Sequence, residues 1–220
     1  MFNIILYTHN ELPDAIRDAC FQTLTDAASD ACCDGMPQPF RLVVSSIPWP
    51  AHFGWQNIIV IGDRGYHDCY VKILAALELC PYTQTFLVEH DVLYPAPYFD
   101  WPMPDDARLF WYNRNTWRLN KHGWFPCPGQ LTSNCCAHRD LLREQFAARL
   151  ALVERGHRIV WDEPGRNPGD IAPMADWQCS APVVDVRWGG NLTGNRDAKL
   201  YYPKLPPWGE ASEWTRKLEL

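Results

Sequence analysis

Apolar and polar positions alternate along the first hundred residues in blocks. An apolar run from Phe2 to Tyr7 predicts a buried strand. A polar turn, Thr8-His9-Asn10-Glu11, follows it, and Asn10 is placed to cap a helix whose first turn holds Pro13 and Asp14. Ile16, Ala19, Cys20, Leu24 and Ala27 then recur at helical spacing. Residues 29–39 form a polar loop. Phe40 to Ile47 predicts a second strand, stopped by Pro48 and Pro50, and an aromatic loop runs from Trp49 to Trp55. Asn57 to Ile61 is a third apolar run. The turn Gly62-Asp63-Arg64-Gly65 leads into a helix over 67–79, with Val71, Leu74, Ala75 and Glu78 in register. Thr85 to Val88 is the fourth strand. Strand and helix alternating in this way predict a mostly parallel sheet with right-handed crossovers.

After Pro97 the pattern changes. Pro102, Pro104 and two aspartates mark a loop. Leu109 to Asn113 and Thr116 to Leu119 predict short strands in an antiparallel part of the sheet, with a turn at 120–123. Cys127 to Asn134 is small and polar and reads as an active-site loop. Ala137 to Arg155 is the clearest helix, with Leu141, Leu142, Phe146, Leu150 and Val153 on one face and Gly156 just beyond it. Residues 157–181 are rich in loop signals. Val183 to Arg187 predicts a last strand, followed by a glycine- and asparagine-rich stretch, 188–196, in which backbone can approach a ligand closely. Tyr201 to Leu220 is rich in proline and aromatics and is expected to wrap the surface. There are no internal repeats and no clear boundary. The reading is one α/β domain over 1–220, with strand–helix alternation over 1–100 and shorter elements with a C-terminal wrap over 101–220.

Composition narrows this picture. The chain has 220 residues, 47% hydrophobic and 21% charged, which suits a globular domain with a substantial core. No apolar run approaches a membrane span, and Met1 to Leu6 has no basic leader pattern, so a cytoplasmic protein is expected. Nine cysteines without a Cys-x-x-Cys spacing read as reduced, mostly packed thiols rather than a zinc site or a disulfide framework. A net charge of −6 makes general nucleic-acid binding an unlikely role for the whole surface, although Arg139, Arg143, Arg149, Arg155 and Arg158 are candidates for one basic face. Eleven tryptophans supply material for core packing and for stacking on sugars or bases.

The chemistry concentrates at Glu89-His90-Asp91. Two carboxylates and an imidazole at the end of a buried strand are costly unless compensated. A divalent cation would compensate them, and a buried acidic pair met by arginine or backbone amides is the competing reading. On an extended chain Glu89 and Asp91 would point the same way. Hard oxygen ligands suit Mg²⁺ or Mn²⁺, which commonly also hold substrate phosphates. The carboxyl end of a strand in an open α/β sheet is where ligands sit. No glycine-rich dinucleotide fingerprint follows the first strand. Thr8 and Asn10 lie in that turn, and Arg64 and Lys72 are candidates to face a diphosphate.

These residues together resemble GT-A-type glycosyltransferases, in particular a nucleotide-sugar transferase group of bacteria and phages. The resemblance is carried by Tyr7-Thr8-His9-Asn10, by Arg64-Gly65 with Lys72 to Glu78, and by Phe86 to Pro95 as a Glu-x-Asp variant of the acidic metal motif. Tyr112-Asn113-x-Asn115-x-Trp117 and Asp185-Val186-Arg187-x-Gly189-x-Asn191-Leu192-Thr193 resemble later motifs. It spans roughly residues 2–196. It implies a GT-A-like, Rossmann-like domain with a mixed, mostly parallel sheet. One departure stands out: Trp188 occupies a position where similar sequences often carry a histidine, and many such enzymes use a late histidine as a metal ligand.

The resemblance implies transfer of a sugar from a nucleoside-diphosphate sugar. Asp91 would bind Mn²⁺ or Mg²⁺, with Glu89 assisting and His138 a candidate to complete the shell. Thr8, Asn10, Arg64, Lys72, Arg187 and Asn191 would hold nucleoside and phosphates. An inverting reaction would need a base near the acceptor hydroxyl, for which Asp176, Asp162 and Asp140 are candidates; a retaining reaction would need none. The acceptor would be a glycan, a protein or a hydroxymethylated base of phage DNA, the last implying the host cytoplasm. Two rivals are a non-catalytic nucleotide-sugar or carbohydrate binder and a metal-dependent nucleotidyltransferase. The second would need a further acidic ligand, and no second acidic cluster stands out in the sequence.

Overall fold

The computed structural model describes residues 1–31, 38–49, 54–62, 65–106, 108–127, 129–159, 163–167, 170–191 and 198–220. In chain order the elements are β1 (Phe2–Thr8), α1 (Asp14–Asp30), β2 (Phe40–Ser45), β3 (Gln56–Ile59), α2 (Tyr66–Leu79), β4 (Gln84–Val88) and β5 (Val92–Leu93). They continue as β6 (Phe110–Asn113), β7 (Thr116–Asn120), β8 (Gly123–Pro126), β9 (Cys135–His138), α3 (Arg139–Glu154), β10 (Met174–Trp177) and β11 (Val183–Val186). The C-terminal segment adds β12 (Lys204–Leu205), β13 (Gly209–Glu210) and α4 (Ala211–Lys217).

The architecture is mixed α/β around a large, mostly parallel sheet, as the strand–helix alternation predicts. Its order is β10-β6-β9-β4-β1-β2-β3, and β9 alone runs against its neighbours. Six strands therefore end at the same edge. Both faces are covered, which is why β1, β2 and β4 read as nearly unbroken apolar runs. Ile4, Leu6, Val43, Phe86 and Val88 face Phe21, Leu24, Ala27 and Ala28 of α1. The alternate residues Ile5, Leu42, Val44 and Leu87 face Tyr70, Ile73 and Ala76 of α2 and Leu141, Leu142 and Phe146 of α3.

A second, four-stranded sheet has the order β5-β11-β7-β8. One of its faces, through Leu93, Leu119, Trp124, Val184 and Val186, packs on Ile16, Ala19 and Cys20 of α1 and on Leu205, Ala211 and Leu218. Helix α1 thus joins both sheets: one side of it meets the main sheet and another the second. The C-terminal segment lies against this second sheet, where Tyr202 and Trp124 exchange backbone hydrogen bonds of 2.8 and 3.1 Å.

Several expectations are corrected. The two strands after residue 109 do make antiparallel pairs, β6 with β9 and β7 with β8 across the turn at 120–123, but in two different sheets instead of one. The helix expected from Ala137 begins at Arg139, because Cys135 to His138 form β9, a strand made by pairing with β4 and β6 rather than by local propensity. Helix α1 starts at Asp14 with Pro13 in the cap position, so Asn10 is not its cap. Residues 157–181 contain β10. The proposed basic face does not form as drawn: Arg149 is 1% exposed and its Nη2 lies 3.0 Å from Asp170. Among the described residues no helix is long and apolar enough to cross a membrane.

Candidate active site

The chain passes from the main sheet to the second at Glu89-His90-Asp91, because β4 belongs to one and β5 to the other. This crossing lies at the edge where the parallel strands end, the usual ligand edge of such sheets. Residues 90–91 form a turn instead of continuing the strand. Glu89 and Asp91 consequently have different partners, and the extended-chain expectation that they share one side does not hold. Tyr7 Oη donates to Glu89 Oε1. The Glu89 N–H donates to Tyr94 Oη at 3.1 Å, and that hydroxyl donates to the Ser133 carbonyl at 2.9 Å. The rings of His9 and His90 meet edge to face at 4.9 Å.

Asp91 turns toward the second sheet. Its backbone carbonyl accepts from Val186 N–H at 2.8 Å, and its Oδ2 accepts from Asn191 Nδ2 at 2.8 Å. Asn191 is itself oriented by the Trp188 N–H, which donates to its Oδ1 at 2.6 Å. Burial, followed by the neighbouring Asp185 carboxylate, pushes the Asp91 carboxyl up to about 7, against the opposing pull of Arg187. The Trp188 indole also favours the Asp91 charge, although its buried Nε1 makes no well-aligned hydrogen bond. The Trp188 ring covers Gly190, where a Cβ would lie 2.2 Å from the indole, so a larger residue at 190 would displace it.

Asp185 is buried on β11 and held by two guanidiniums. Arg118 Nε donates to Oδ2 at 2.9 Å, and Arg187 Nη1 lies 3.2 and 3.3 Å from the two oxygens. Arg118 was not singled out from the sequence, and Asp185 entered only as the first residue of a late motif, without a role of its own. The available signal was a charge inside each short apolar strand, between Val184 and Val186 and between Trp117 and Leu119. A buried strand tolerates such charges only when they are paired.

The remaining candidates divide. Arg187 and Asn191 come to the site, where they engage Asp185 and Asp91. Thr8 is buried at the end of β1, and its Oγ1 accepts from Asn10 N–H at 2.7 Å. Asn10 adopts a positive φ of 60° and donates to the Pro48 carbonyl at 2.9 Å, joining the loops that follow β1 and β2. Lys72 is 3% exposed, and no hydrogen bond or ion pair joins its ammonium to a described residue. Burial lowers its pKa, opposed by Asp68, Cys69 and Glu11. Helical side chains lean toward the helix N-terminus, which for α2 lies at the ligand edge, and Glu11 belongs to the loop after β1. Arg64 and Asp162 lie outside the described residues.

Asp176 is exposed near the end of β10, on the same edge, about 14 Å from β4 by strand spacing. Its carboxylate lies 3.8 Å from Arg114 Nε and accepts from Gln130 at 3.4 Å. His138 is excluded as a ligand. Because β9 runs antiparallel, His138 pairs with Gln84 at the start of β4, a strand length or about 13 Å from the acidic turn, and its Nε2 is 4.0 Å from Asp105. Asp140 follows it at that far edge, beside Arg139. Among the described residues no three His, Cys, Asp or Glu side chains form a metal cage.

No family model matches the sequence, and no curated protein matches it. Among solved structures the chain is similar to the bifunctional IspDF from Campylobacter jejuni, with a TM-score of 0.42 and 10% identity, covering 80% of this chain and 49% of that one. It is also similar to HddC from Yersinia pseudotuberculosis, with a TM-score of 0.45 and 9% identity, covering 83% of this chain and 93% of that one. The chain thus spans about half the length of IspDF.

Proposed function

We propose that this chain is a metal-dependent transferase acting on a nucleotide-linked substrate, and that its reaction is nucleotidyl transfer. An oxygen of a phosphorylated acceptor attacks the α-phosphorus of a nucleoside triphosphate. The bond from that phosphorus to the β-phosphate oxygen breaks, and pyrophosphate leaves. One observation carries the reading: Asp91 and Asp185, from two different segments, bring a pair of interacting buried carboxylates to the ligand edge. Asp185, the first residue of the late Asp185-Val186-Arg187 motif, is the further acidic group that nucleotidyl transfer needs.

A divalent cation fits this donor set. Asp91 is desolvated, faces a second carboxylate, and has a neutral amide as its side-chain donor. Mg²⁺ or Mn²⁺ held by one or two carboxylates and by substrate phosphates needs no larger protein cage. When bound, the cation would neutralise the phosphates as a Lewis acid. Asp91 holds it, Asn191 fixes the Asp91 rotamer, and Lys72 supplies positive charge to the phosphates from the α2 side. Glu89, tied to Tyr7, shapes the turn.

Glycosyl transfer is the second reading. The exposed Asp176 carboxylate on the same edge favours it, as a base for an acceptor hydroxyl. The test is to supply each nucleoside triphosphate with a panel of sugar phosphates, and separately each nucleoside-diphosphate sugar with hydroxyl acceptors, with Mn²⁺ or Mg²⁺. Metal-dependent pyrophosphate release that disappears in Asp91→Asn supports nucleotidyl transfer. Release of nucleoside diphosphate instead favours glycosyl transfer. Nucleotide binding with neither product points to a non-catalytic binder.

A further inference from the structure

We infer that the terminal edge of the Arg118 guanidinium docks a phosphate group of the second substrate, on the wall of the site opposite Lys72. The inference rests on the transferase reading above and adds to it where the acceptor's charge is recognised.

The register of β7 against β11 sets Arg118 beside Asp185, so the two side chains share one face of the second sheet. The contact between them is side-on, through the Arg118 Nε, at 2.9 Å. This fixes the guanidinium plane and turns the Nη1–Nη2 edge away from the carboxylate. No described residue meets that edge, although the side chain is only 16% exposed. A guanidinium fixed through its Nε, with its terminal donors still open to solvent, is preorganised to meet an acceptor. Its planar donor pair matches two oxygens of a phosphomonoester.

Charge on this face points the same way. Arg187 approaches the same Asp185 carboxylate, so two guanidiniums surround one carboxylate. Lys72 stands on α2, which packs against β1 and β2, whereas Arg118 stands in the second sheet. The acidic turn lies between the sheets. Two separate cationic groups flanking it suit two anionic substrates, the nucleotide toward Lys72 and the phosphorylated acceptor toward Arg118.

The experiment uses the full chain and three variants, Arg118→Gln, Arg118→Lys and Lys72→Met. Inorganic phosphate binding is measured by calorimetry in chelator, and nucleoside di- and triphosphate binding with Mn²⁺. We expect Arg118→Gln to weaken phosphate binding at least roughly tenfold, the scale of one charge-assisted hydrogen bond, with nucleotide affinity kept. Arg118→Lys, which keeps the charge toward Asp185 but not the planar fork, should weaken phosphate binding in the same direction and serves if the glutamine variant does not fold. Lys72→Met should show the reverse pattern. Wild-type phosphate affinity in the folded Arg118 variants would overturn the inference. So would a loss of nucleotide affinity equal to that in Lys72→Met, which would assign Arg118 to the nucleotide's own phosphates. A wild-type chain that binds phosphate through Arg118 but no nucleotide would overturn the transferase reading and leave the anion site standing.

Discussion

Asp91→Asn tests the electrostatics of the site without any substrate. The change keeps the side chain's size and an oxygen able to accept from Asn191, and it removes the charge that burial and Asp185 oppose. In the folded chain the Asp91 carboxyl titrates at about 7, against an ordinary value of 3.8. Between these values the folded state holds a proton that the unfolded state has lost. Stability therefore falls as pH rises from about 4 to about 7 and is level above that. The difference corresponds to on the order of 4 kcal/mol at pH 8 in the metal-free chain. For a domain of this size that is an upper shift of roughly 8–16 °C in Tm. The assay is thermal or urea unfolding of wild type and variant in chelator, from pH 4 to pH 9. Asp91→Asn should match the wild type near pH 4 and exceed it increasingly up to pH 7–8. Added Mn²⁺ should stabilise the wild type and not the variant. A variant less stable than wild type at pH 8 in chelator would refute the reasoning, because it would make Asp91 the counter-charge of a structural ion pair.

Lys72→Met should leave metal-free stability unchanged or raised, since it removes a desolvated ammonium with no hydrogen bond or ion pair to a described residue, while weakening nucleotide binding at least roughly tenfold; equal nucleotide affinity by calorimetry would return Lys72 to the fold. Arg149→Met should cost about 3–5 kcal/mol in urea unfolding at pH 7, because it strands the buried Asp170 carboxylate. A loss under about 1 kcal/mol would mean that water reaches that carboxylate. His138→Ala should leave Mn²⁺-induced stabilisation intact, given its place at the far edge of the sheet; loss of the metal response would reverse its exclusion.

The main sheet was legible where its strands are buried on both faces. Phe2–Thr8, Phe40–Ser45 and Gln84–Val88 are apolar runs bounded by polar or proline-rich turns, and α1, α2 and α3 show the 3.6-residue period. Legibility failed where pairing, not propensity, makes the element. Cys135-Cys136-Ala137-His138 has no strand signature and becomes β9 only because β4 and β6 offer facing edges. The second sheet was hidden for the same reason: β5 has two residues, and its partner β11 comes from the other end of the chain.

The site was half legible. Glu89-His90-Asp91 announced itself because three polar groups end a buried strand, and the structure puts them at the crossing between sheets. What the motif could not reveal is which carboxylate would turn to meet the other segment. That choice follows from the turn at 90–91, which sends Asp91 toward β11 and leaves Glu89 with Tyr7. Asp185 and Arg118 are 67 residues apart and become neighbours only through a parallel register. The overall charge also misdirected attention. A net −6 argues against a surface that attracts polyanions, yet it says nothing of a buried wall where two guanidiniums face one carboxylate. Salt screens exposed charges over about 10 Å at 0.1 M and screens buried ones much less. An anion held by Arg118 should therefore lose little affinity between low and moderate salt, whereas an anion held only by exposed surface lysines and arginines should lose most of it. An acidic chain can in this way still recognise phosphate, provided that the cations it offers are fixed in place and largely shielded from solvent.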